Sequence, residues 1–334
     1  MIRIGSRFHR FSIFLFLALF SFASAPLAEP NPHDFENWKT DFSKTSIKLH
    51  EVLSGGPLKD GIPAIDNPKF VSISEAKTKD RESVIGFANN GEAKAYPLSI
   101  LMWHEIANDI VGGHPFTVTY CPLCNAAIVF DAELDGTRFD FGTTGRLRNS
   151  DLLMYDRQSE SWWQQFSGEA VIGELTGTKL KIMPSRLESF ASFKQRFPNG
   201  KVLVPNDPNL REYGRNPYVS YDSRSGPYPL FIGELPADIS PMARVVVIRK
   251  DGAVKHIIAM DKLVQEETLT LGDFQLTWSP GRASALDTAA IDAGREVGNL
   301  WVTETLDGKA QDVVHDITFA FVAHAFHPKI PIQQ

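Results

Sequence analysis

Cysteine is scarce in this sequence, and long apolar runs are nearly absent. Only Cys121 and Cys124 occur among the 334 residues, so a scaffold stapled by several disulfides is excluded. After the N-terminal segment, no stretch is long and apolar enough to cross a membrane. The sequence also lacks a G-x-S-x-G elbow, a phosphate-binding loop, a dinucleotide glycine fingerprint and an H-E-x-x-H pair. Ordinary hydrolases, nucleotide enzymes and zincins therefore have no motif to support them.

The first 28 residues have the pattern of a secretory signal peptide. A cationic start is followed by an apolar stretch and then by small residues, with cleavage expected after Ala25 or Ala28. An uncleaved anchor is disfavoured, because serine and proline interrupt the apolar stretch and it is short of the roughly 20 residues that a span needs. The sequence predicts a periplasmic or secreted protein whose residues 29–54 are a polar lead-in.

The charge balance argues against a nucleic-acid partner. The formal net charge is −6, and removing residues 1–25 removes Arg3, Arg7 and Arg10 but no acidic residue, so the charge falls to −9. An acidic surface repels the phosphate backbone. The partners expected instead are a small molecule or another periplasmic protein, with no membrane span after signal cleavage.

The remaining sequence predicts a β-rich α+β fold with mixed or antiparallel sheets and a few short helices. Short apolar runs are separated by Asn-Gly and Asp-Gly turns, which is typical of β-hairpins. Residues 55–328 are expected to form a single domain. Helices are predicted only around residues 35–53, 97–109, 185–196 and 316–325.

Two parts of the domain resemble each other. Residues 84–128 and 245–286 both contain a strand, a glycine turn, a second strand and the start of an apolar helix. The second copy has Ser279 and Arg282 where the first has cysteines. This similarity indicates a degenerate internal duplication with two pseudo-repeats, or equally two hairpins that are alike by chance.

The two cysteines lie in one Cys-Pro-Leu-Cys turn. They can only pair with each other, bind a ligand or stay free. A disulfide is the default in an oxidising compartment, but closing so short a loop would stabilise the fold by only ~2 kcal/mol. The spacing therefore favours a functional role over a stabilising disulfide. The pair would act either as a thiol–disulfide couple or as two thiolate ligands of a soft metal such as copper or zinc.

A metal site would need ligands beyond the two thiolates. Histidine is the first candidate, and His104, with Glu105 beside it, precedes the cysteine strand while His327 lies near the C-terminus. His324 is three residues before His327, so on a helix both would share a face. In the redox alternative, Cys121 attacks, Cys124 resolves, and His104 and Glu105 tune the thiolate.

A third constellation covers residues 142–170, where hydrogen-bonding side chains crowd beside aromatic ones. Such a density predicts either a ligand pocket or a buried, fully paired network. The candidate substrate-binding residues are Arg146, Asn149, Asp151, Tyr155, Asp156, Trp163 and Gln165.

With these motifs, the chain resembles the bacterial family called domain of unknown function 3179 (DUF3179). The similar pieces include AYPLSILMWHEIAND, GGHPFTVTYCPLCNAAIVFD and TTGRLRNSDLLMYDRQSESWWQQFSGEAVIGEL, and they extend over about residues 55–328. The resemblance implies an exported or membrane-associated protein and no particular reaction; His324 is not clearly part of the pattern. It implies signature positions at His104, Glu105, Cys121, Cys124, Asn149, Asp151, Tyr155, Asp156, Trp163, Gln165 and His327.

Three functions therefore compete. The first is a copper or zinc site of Cys121 and Cys124 completed by His104 or His327, which would be catalytic if a coordination position is open and a carrier or structural site if it is closed. The second is a periplasmic thiol–disulfide oxidoreductase. The third is a ligand-binding or scaffold module with an inert disulfide.

Overall fold

The computed structural model describes residues 37–334. The predicted signal peptide, residues 1–28, and the start of the lead-in lie outside these residues. The described chain contains 24 strands and four short α-helices, which confirms the β-rich prediction. None of its helices has the length and apolar character needed to span a membrane.

The strands before residue 205 are β1 (Leu53–Ser54), β2 (Lys69–Ser72), β3 (Ser83–Asn89), β4 (Glu92–Pro97), β5 (Ile106–Val111), β6 (His114–Cys121), β7 (Ala126–Asp131), β8 (Glu133–Leu134), β9 (Thr137–Arg138), β10 (Phe141–Arg148), β11 (Asp151–Asp156), β12 (Trp162–Gln164), β13 (Glu169–Ile172), β14 (Ile182–Met183), β15 (Arg186–Ser189) and β16 (Lys201–Val204). Those that follow are β17 (Arg244–Lys250), β18 (Ala253–Ala259), β19 (Thr268–Leu271), β20 (Phe274–Ser279), β21 (Asn299–Leu306), β22 (Lys309–Asp312), β23 (His315–Phe319) and β24 (Ile332–Gln333). The helices are α1 (Leu98–His104), α2 (Phe190–Arg196), α3 (Met260–Glu266) and α4 (Ala320–Phe326).

Tight turns with a left-handed backbone make the hairpins. In the four turns named below, both central residues have positive φ, as the right-handed twist of paired strands requires. Asparagine or aspartate followed by glycine is the pair that adopts this geometry at least cost. The turns are Asn90–Gly91, Asp135–Gly136, Asp251–Gly252 and Asp307–Gly308.

Two sheets of the fold have the same strand order. One runs β15-β3-β4-β16 with β2 at its edge, and the other runs β23-β17-β18-β24. In both, the last of these pairs is parallel and the others are antiparallel. Helices α1 and α3 occupy equivalent places, and the residues that end them, Glu105 and Glu267, share a backbone conformation with φ of 58°. The similar sequence segments therefore fold alike, while their origin by duplication stays a prediction.

A five-stranded sheet in the first half has no counterpart in the second. Its order is β1-β10-β11-β12-β13, and the chain enters it between β7 and β14, two strands of the sheet β14-β7-β6-β5. In the second half the equivalent sheet, β19-β20-β21-β22, is continuous in sequence. The extra sheet thus packs residues 141–172 against the hairpin that carries the cysteines.

The helix predicted over residues 35–53 is wrong in its described part. Residues 37–48 contain no helix, and only Leu49–Glu51 forms a single 3-10 turn. The aromatic side chain of Trp38 instead packs edge-on against Tyr155 and Trp162, with ring centroids 4.9 and 4.8 Å apart. Tertiary contact with the extra sheet therefore overrides the local helical pattern.

Candidate metal centre

The cysteines lie in the tight turn between β6 and β7. Cys121 ends β6 and pairs with Ala126 at the start of β7, and the Cys124 amide donates to the Cys121 carbonyl at 3.2 Å. Proline suits the second position of such a turn, and Asn125 takes the left-handed conformation that closes it, with φ of 53°. Both cysteines are buried and unbonded to each other. The turn therefore presents two thiols on the same side of a rigid hairpin.

The second half of the chain holds this turn in place. The carbonyl of Cys124 accepts hydrogen bonds from Thr318 Oγ1 at 2.8 Å and from the Phe319 amide at 3.2 Å. Tyr221 Oη donates to the Leu123 carbonyl at 3.0 Å. Strand β23 therefore holds Cys124, and the segment that precedes β17 holds Leu123.

Asp151 lies beside the two thiols and forms a group with them. It follows the β10–β11 turn, where Asn149 and Ser150 both have positive φ, and its side chain is fully buried. One carboxylate oxygen and the two sulfur atoms all lie within 4.8 Å of one another. The group Cys121, Cys124 and Asp151 could therefore hold a metal.

Hydrogen bonds orient the carboxylate toward this role. Asp151 Oδ2 accepts from Gln164 Nε2 at 2.6 Å and from the Phe166 amide at 2.8 Å. Its other oxygen, Oδ1, is buried and receives no N–H or O–H donor from residues 37–334. The two sulfurs lie against the Ser150 carbonyl, at 3.6 Å for Cys121 and 3.3 Å for Cys124. One oxygen is thus held in place by two N–H donors, while the carboxylate also interacts with the Cys121 and Cys124 thiols.

The acidic groups of this site repel one another. Burial raises the pKa of Asp151 to about 6 and that of Cys121 above its ordinary value. Burial, followed by the charge of Asp151, raises the pKa of Glu105 to about 8. The strongest charge effects on the pKa of Cys121 come from Asp151 and Glu105 rather than from a lysine or arginine. The main charge effects among these buried acidic groups are therefore repulsive.

Glu105 occupies an unusual backbone position beside the group. It ends α1 with φ of 58° and ψ of −31°, its amide donates to the Leu101 carbonyl at 2.6 Å, and its carbonyl accepts from the Tyr120 amide at 2.8 Å. A non-glycine residue with positive φ is uncommon and costs conformational energy. These bonds fix the glutamate next to the strand that ends in Cys121.

Neither histidine predicted as a ligand belongs to the group of three. His104 Nδ1 is 2.7 Å from the Pro63 carbonyl, and Nε2 is 2.7 Å from Tyr213 Oη, so both ring nitrogens already have partners. His327 lies across the extra sheet, with its ring centroid 6.0 Å from that of Phe166. Among the described residues, a carboxylate takes the place that the sequence assigned to an imidazole.

The other candidate substrate-binding residues are distributed through the extra sheet. Asp156 accepts from the Trp163 indole nitrogen at 2.9 Å and from the Ser159 amide at 2.6 Å. Tyr155 Oη donates to Asp60. Gln165 Nε2 donates to Thr119 Oγ1 at 2.8 Å and reaches the Ala126 carbonyl at 3.3 Å. Of this set, only Asp151 joins the thiols, while Asn149 lies in the same turn and Arg146 is on β10.

A cleft of about 830 Å³ opens beside β12, and sequence reasoning missed most of it. Gln164, which bonds Asp151, is also part of its wall, together with Arg148, Arg249, Phe326 and His327. Arg249 comes from β17, far along the chain from β12, so no local pattern could have grouped these residues. The Gln164 side chain lies between the cleft and the thiol group, since its amide bonds Asp151 and also contacts Arg148.

Comparison with known proteins supplies a family and no activity. A family model described as "Protein of unknown function (DUF3179)" matches residues 59–330. No curated protein and no solved structure matches the chain.

Proposed function

The chain belongs to the family described as protein of unknown function (DUF3179), and we propose from its own site that it is a metal-binding protein. Cys121, Cys124 and Asp151 bind one zinc ion, and Glu105, whose carboxylate lies outside this group of three, turns toward the ion to supply the fourth ligand. The observation that carries this proposal is the buried group of two thiols and one carboxylate, whose donor atoms all lie within 4.8 Å of one another. A divalent ion would offset the cost of ionising them in the interior.

The ligand chemistry favours zinc over copper. Cuprous copper prefers an all-sulfur environment, whereas a carboxylate is a hard ligand. Zinc accepts thiolate and carboxylate together in tetrahedral sites. Two thiolates and two carboxylates also carry the same total charge as the four thiolates of a common structural zinc site.

Burial favours a structural or carrier site over a catalytic one. Cys124 and Asp151 are 0% exposed and Cys121 is 1% exposed, so a substrate could not reach the ion without movement of the chain. The segment between β16 and β17 contributes to this cover: Tyr221 bonds the turn, and burial, followed by the charges of Glu105 and Cys121, raises the pKa of Tyr218.

The same burial is unfavourable for a thiol–disulfide oxidoreductase. A reactive cysteine needs a lowered pKa and access to its partner, and here the pKa of both thiols is raised by burial. The N-terminal pattern supports export, and we infer that the ion is acquired in the periplasm or outside the cell.

Elemental analysis of the purified chain tests the proposal. The wild-type protein should carry about one zinc per chain, in line with a single closed site. Asp151→Asn, which keeps the shape of the side chain, and the double change Cys121→Ser with Cys124→Ser should lose it. His104→Asn is the matched control and should retain it. Equal zinc in wild type and Asp151→Asn would refute this ligand set, and loss of zinc only in the His104 variant would favour a histidine ligand instead.

A further inference from the structure

The cleft beside β12 combines an apolar wall with a polar floor. Its apolar side chains come from β13, β14 and the neighbouring loops: Ile47, Val171, Leu180, Ile182, Met183 and Val313. Its volume of about 830 Å³ is within the range of about 300–1,000 Å³ that is usual for small-molecule sites.

Arg148, Arg249, Phe326 and His327 form the floor, and the buried Phe166 packs beneath them. The guanidinium of Arg148 lies 5.9 Å from the ring centroid of Phe326, and that of Arg249 lies 4.9 Å from the ring of Phe166. The two phenylalanine rings are 5.2 Å apart, and His327 packs on Phe166. These contacts bring residues from β10, β17 and the end of α4 into one continuous cluster.

Each arginine keeps donors that the protein does not use. Arg148 Nε donates to Glu51 at 2.7 Å, and its Nη1 is at the long distance of 3.5 Å from Gln164. Arg249 Nε donates to Asp316 at 2.7 Å and its Nη2 to the Phe166 carbonyl at 3.1 Å. Within residues 37–334 no hydrogen bond is made by Arg148 Nη2 or Arg249 Nη1. His327 Nε2 is also buried without a partner there.

We propose that this cleft binds a small organic anion, with its carboxylate or phosphate group on Arg148, Arg249 and His327 and its apolar body along the Ile182 and Met183 wall. Planar guanidinium groups match the oxygens of such anions, and the adjacent rings hold the guanidiniums in place. An inorganic ion would use only the floor and leave the apolar wall wet. This site is independent of the proposed zinc site.

Direct binding measurements on the full chain test the ligand class. Octanoate and phenyl phosphate have both a charge and an apolar body, 1-octanol has the body alone, and inorganic phosphate has the charge alone. In calorimetric titrations at millimolar concentration, at least one of the first pair should bind saturably and more tightly than both single-feature probes. No saturable binding by either member of the pair, or equal binding of 1-octanol or inorganic phosphate, would overturn the proposal.

Variants locate the binding. Arg148→Gln should lower the affinity for the anion by about tenfold or more, since hydrogen bonds to charged groups are stronger than those between neutral groups. Arg138→Gln is the matched control, because Arg138 pairs with Asp140 on a surface hairpin outside the cleft. Equal affinity of the two variants would place the ligand elsewhere. Circular dichroism melting identifies a variant that has simply unfolded. In that case Arg148→Lys, which keeps the positive charge but not the planar guanidinium, should give an intermediate loss of anion affinity. Repeating the titrations with chelator should leave the affinities unchanged, whether or not zinc binds the thiols.

Discussion

Gln164 Nε2 donates a hydrogen bond of 2.6 Å to Asp151 Oδ2. One side chain thus contacts the buried thiol group and also contributes to the wall of the cleft. It fixes the carboxylate so that the remaining oxygen faces the site rather than another donor. Groups that orient a metal ligand in this way typically contribute a factor of about 10–100 to affinity.

Replacing this glutamine by leucine should weaken metal binding while leaving the fold intact. In Gln164→Leu, Asp151 keeps only the Phe166 amide, so we expect zinc affinity to fall about tenfold or more. Competition with a chromophoric chelator measures it. Gln158→Leu is the control, because Gln158 accepts a hydrogen bond from Asp140 at the surface. Identical affinities for the two variants would contradict an orienting role of Gln164.

The metal-free protein should lose stability as the pH rises from 6.5 to 8. Glu105 has a pKa of about 8 in the folded chain against 4.5 unfolded, so in this window the folded state binds the additional proton and its advantage declines with pH. The buried histidines His104, His315 and His327 have lowered pKa values; they act in the opposite sense, and below pH 6.5. Thermal melts with chelator check this, and Glu105→Gln should flatten the curve. A flat wild-type curve would count against a protonated Glu105.

Zinc binding should release protons. At neutral pH both thiols and Glu105 are protonated, since burial raises all three pKa values, whereas a ligand must be deprotonated. We expect the release of about three protons per ion, and an apparent affinity that increases with pH. Calorimetry in buffers of different ionisation enthalpy counts them. In Glu105→Gln the number should fall by about one; an unchanged number would show that Glu105 does not take part.

The two thiols should react slowly with alkylating reagents in the native protein. Both are buried and their pKa values are raised, so little thiolate is present or accessible. Mass spectrometry after iodoacetamide treatment should show no modification on a timescale at which the guanidinium-unfolded chain is fully modified. Rapid alkylation of Cys121 in the folded, metal-free chain would favour the oxidoreductase alternative.

Removing one of the hydrogen bonds that hold the cysteine turn should lower the stability of the fold modestly. Thr318→Val deletes the hydroxyl that donates to the Cys124 carbonyl and keeps the side-chain shape, so the free energy of unfolding should fall by about 1 kcal/mol. Urea denaturation measures it. Thr288→Val, at an exposed hydroxyl that bonds the nearby Ala290 carbonyl, should change stability less.

Local patterns predict much of the fold because hairpins depend on neighbouring residues. Asn90–Gly91 and Asp251–Gly252 define their turns through a backbone preference that belongs to those residues alone. Segment 97–109 shows the limit. It begins as helix α1 but ends at His104, because Glu105 takes a left-handed conformation and the next residues pair as strand β5. An apolar helical pattern does not reveal that a pairing partner is available.

The site was only half predictable. The spacing of the two cysteines identifies the Cys-Pro-Leu-Cys turn as a candidate site. No spacing in the sequence links Asp151 to that turn. Asp151 comes from a sheet that is inserted after β7, so its approach to the sulfurs depends on packing between sheets. His104 is closer to the turn in sequence, yet its ring bonds the loop at Pro63 and Tyr213. Proximity along the chain was therefore a poor guide to which donor faces the thiols.

The anchoring of the Cys124 carbonyl by Thr318 and Phe319 imposes an order on maturation. The cysteine turn is synthesised early, but the residues that hold its carbonyl belong to β23, one of the last strands. A chain whose synthesis is incomplete therefore has no preorganised site. Under the proposed function, uptake of the ion would then be a final step, after the last strands have folded. A fragment that stops before residue 315 should consequently bind zinc far more weakly than the full chain when both are tested by equilibrium dialysis.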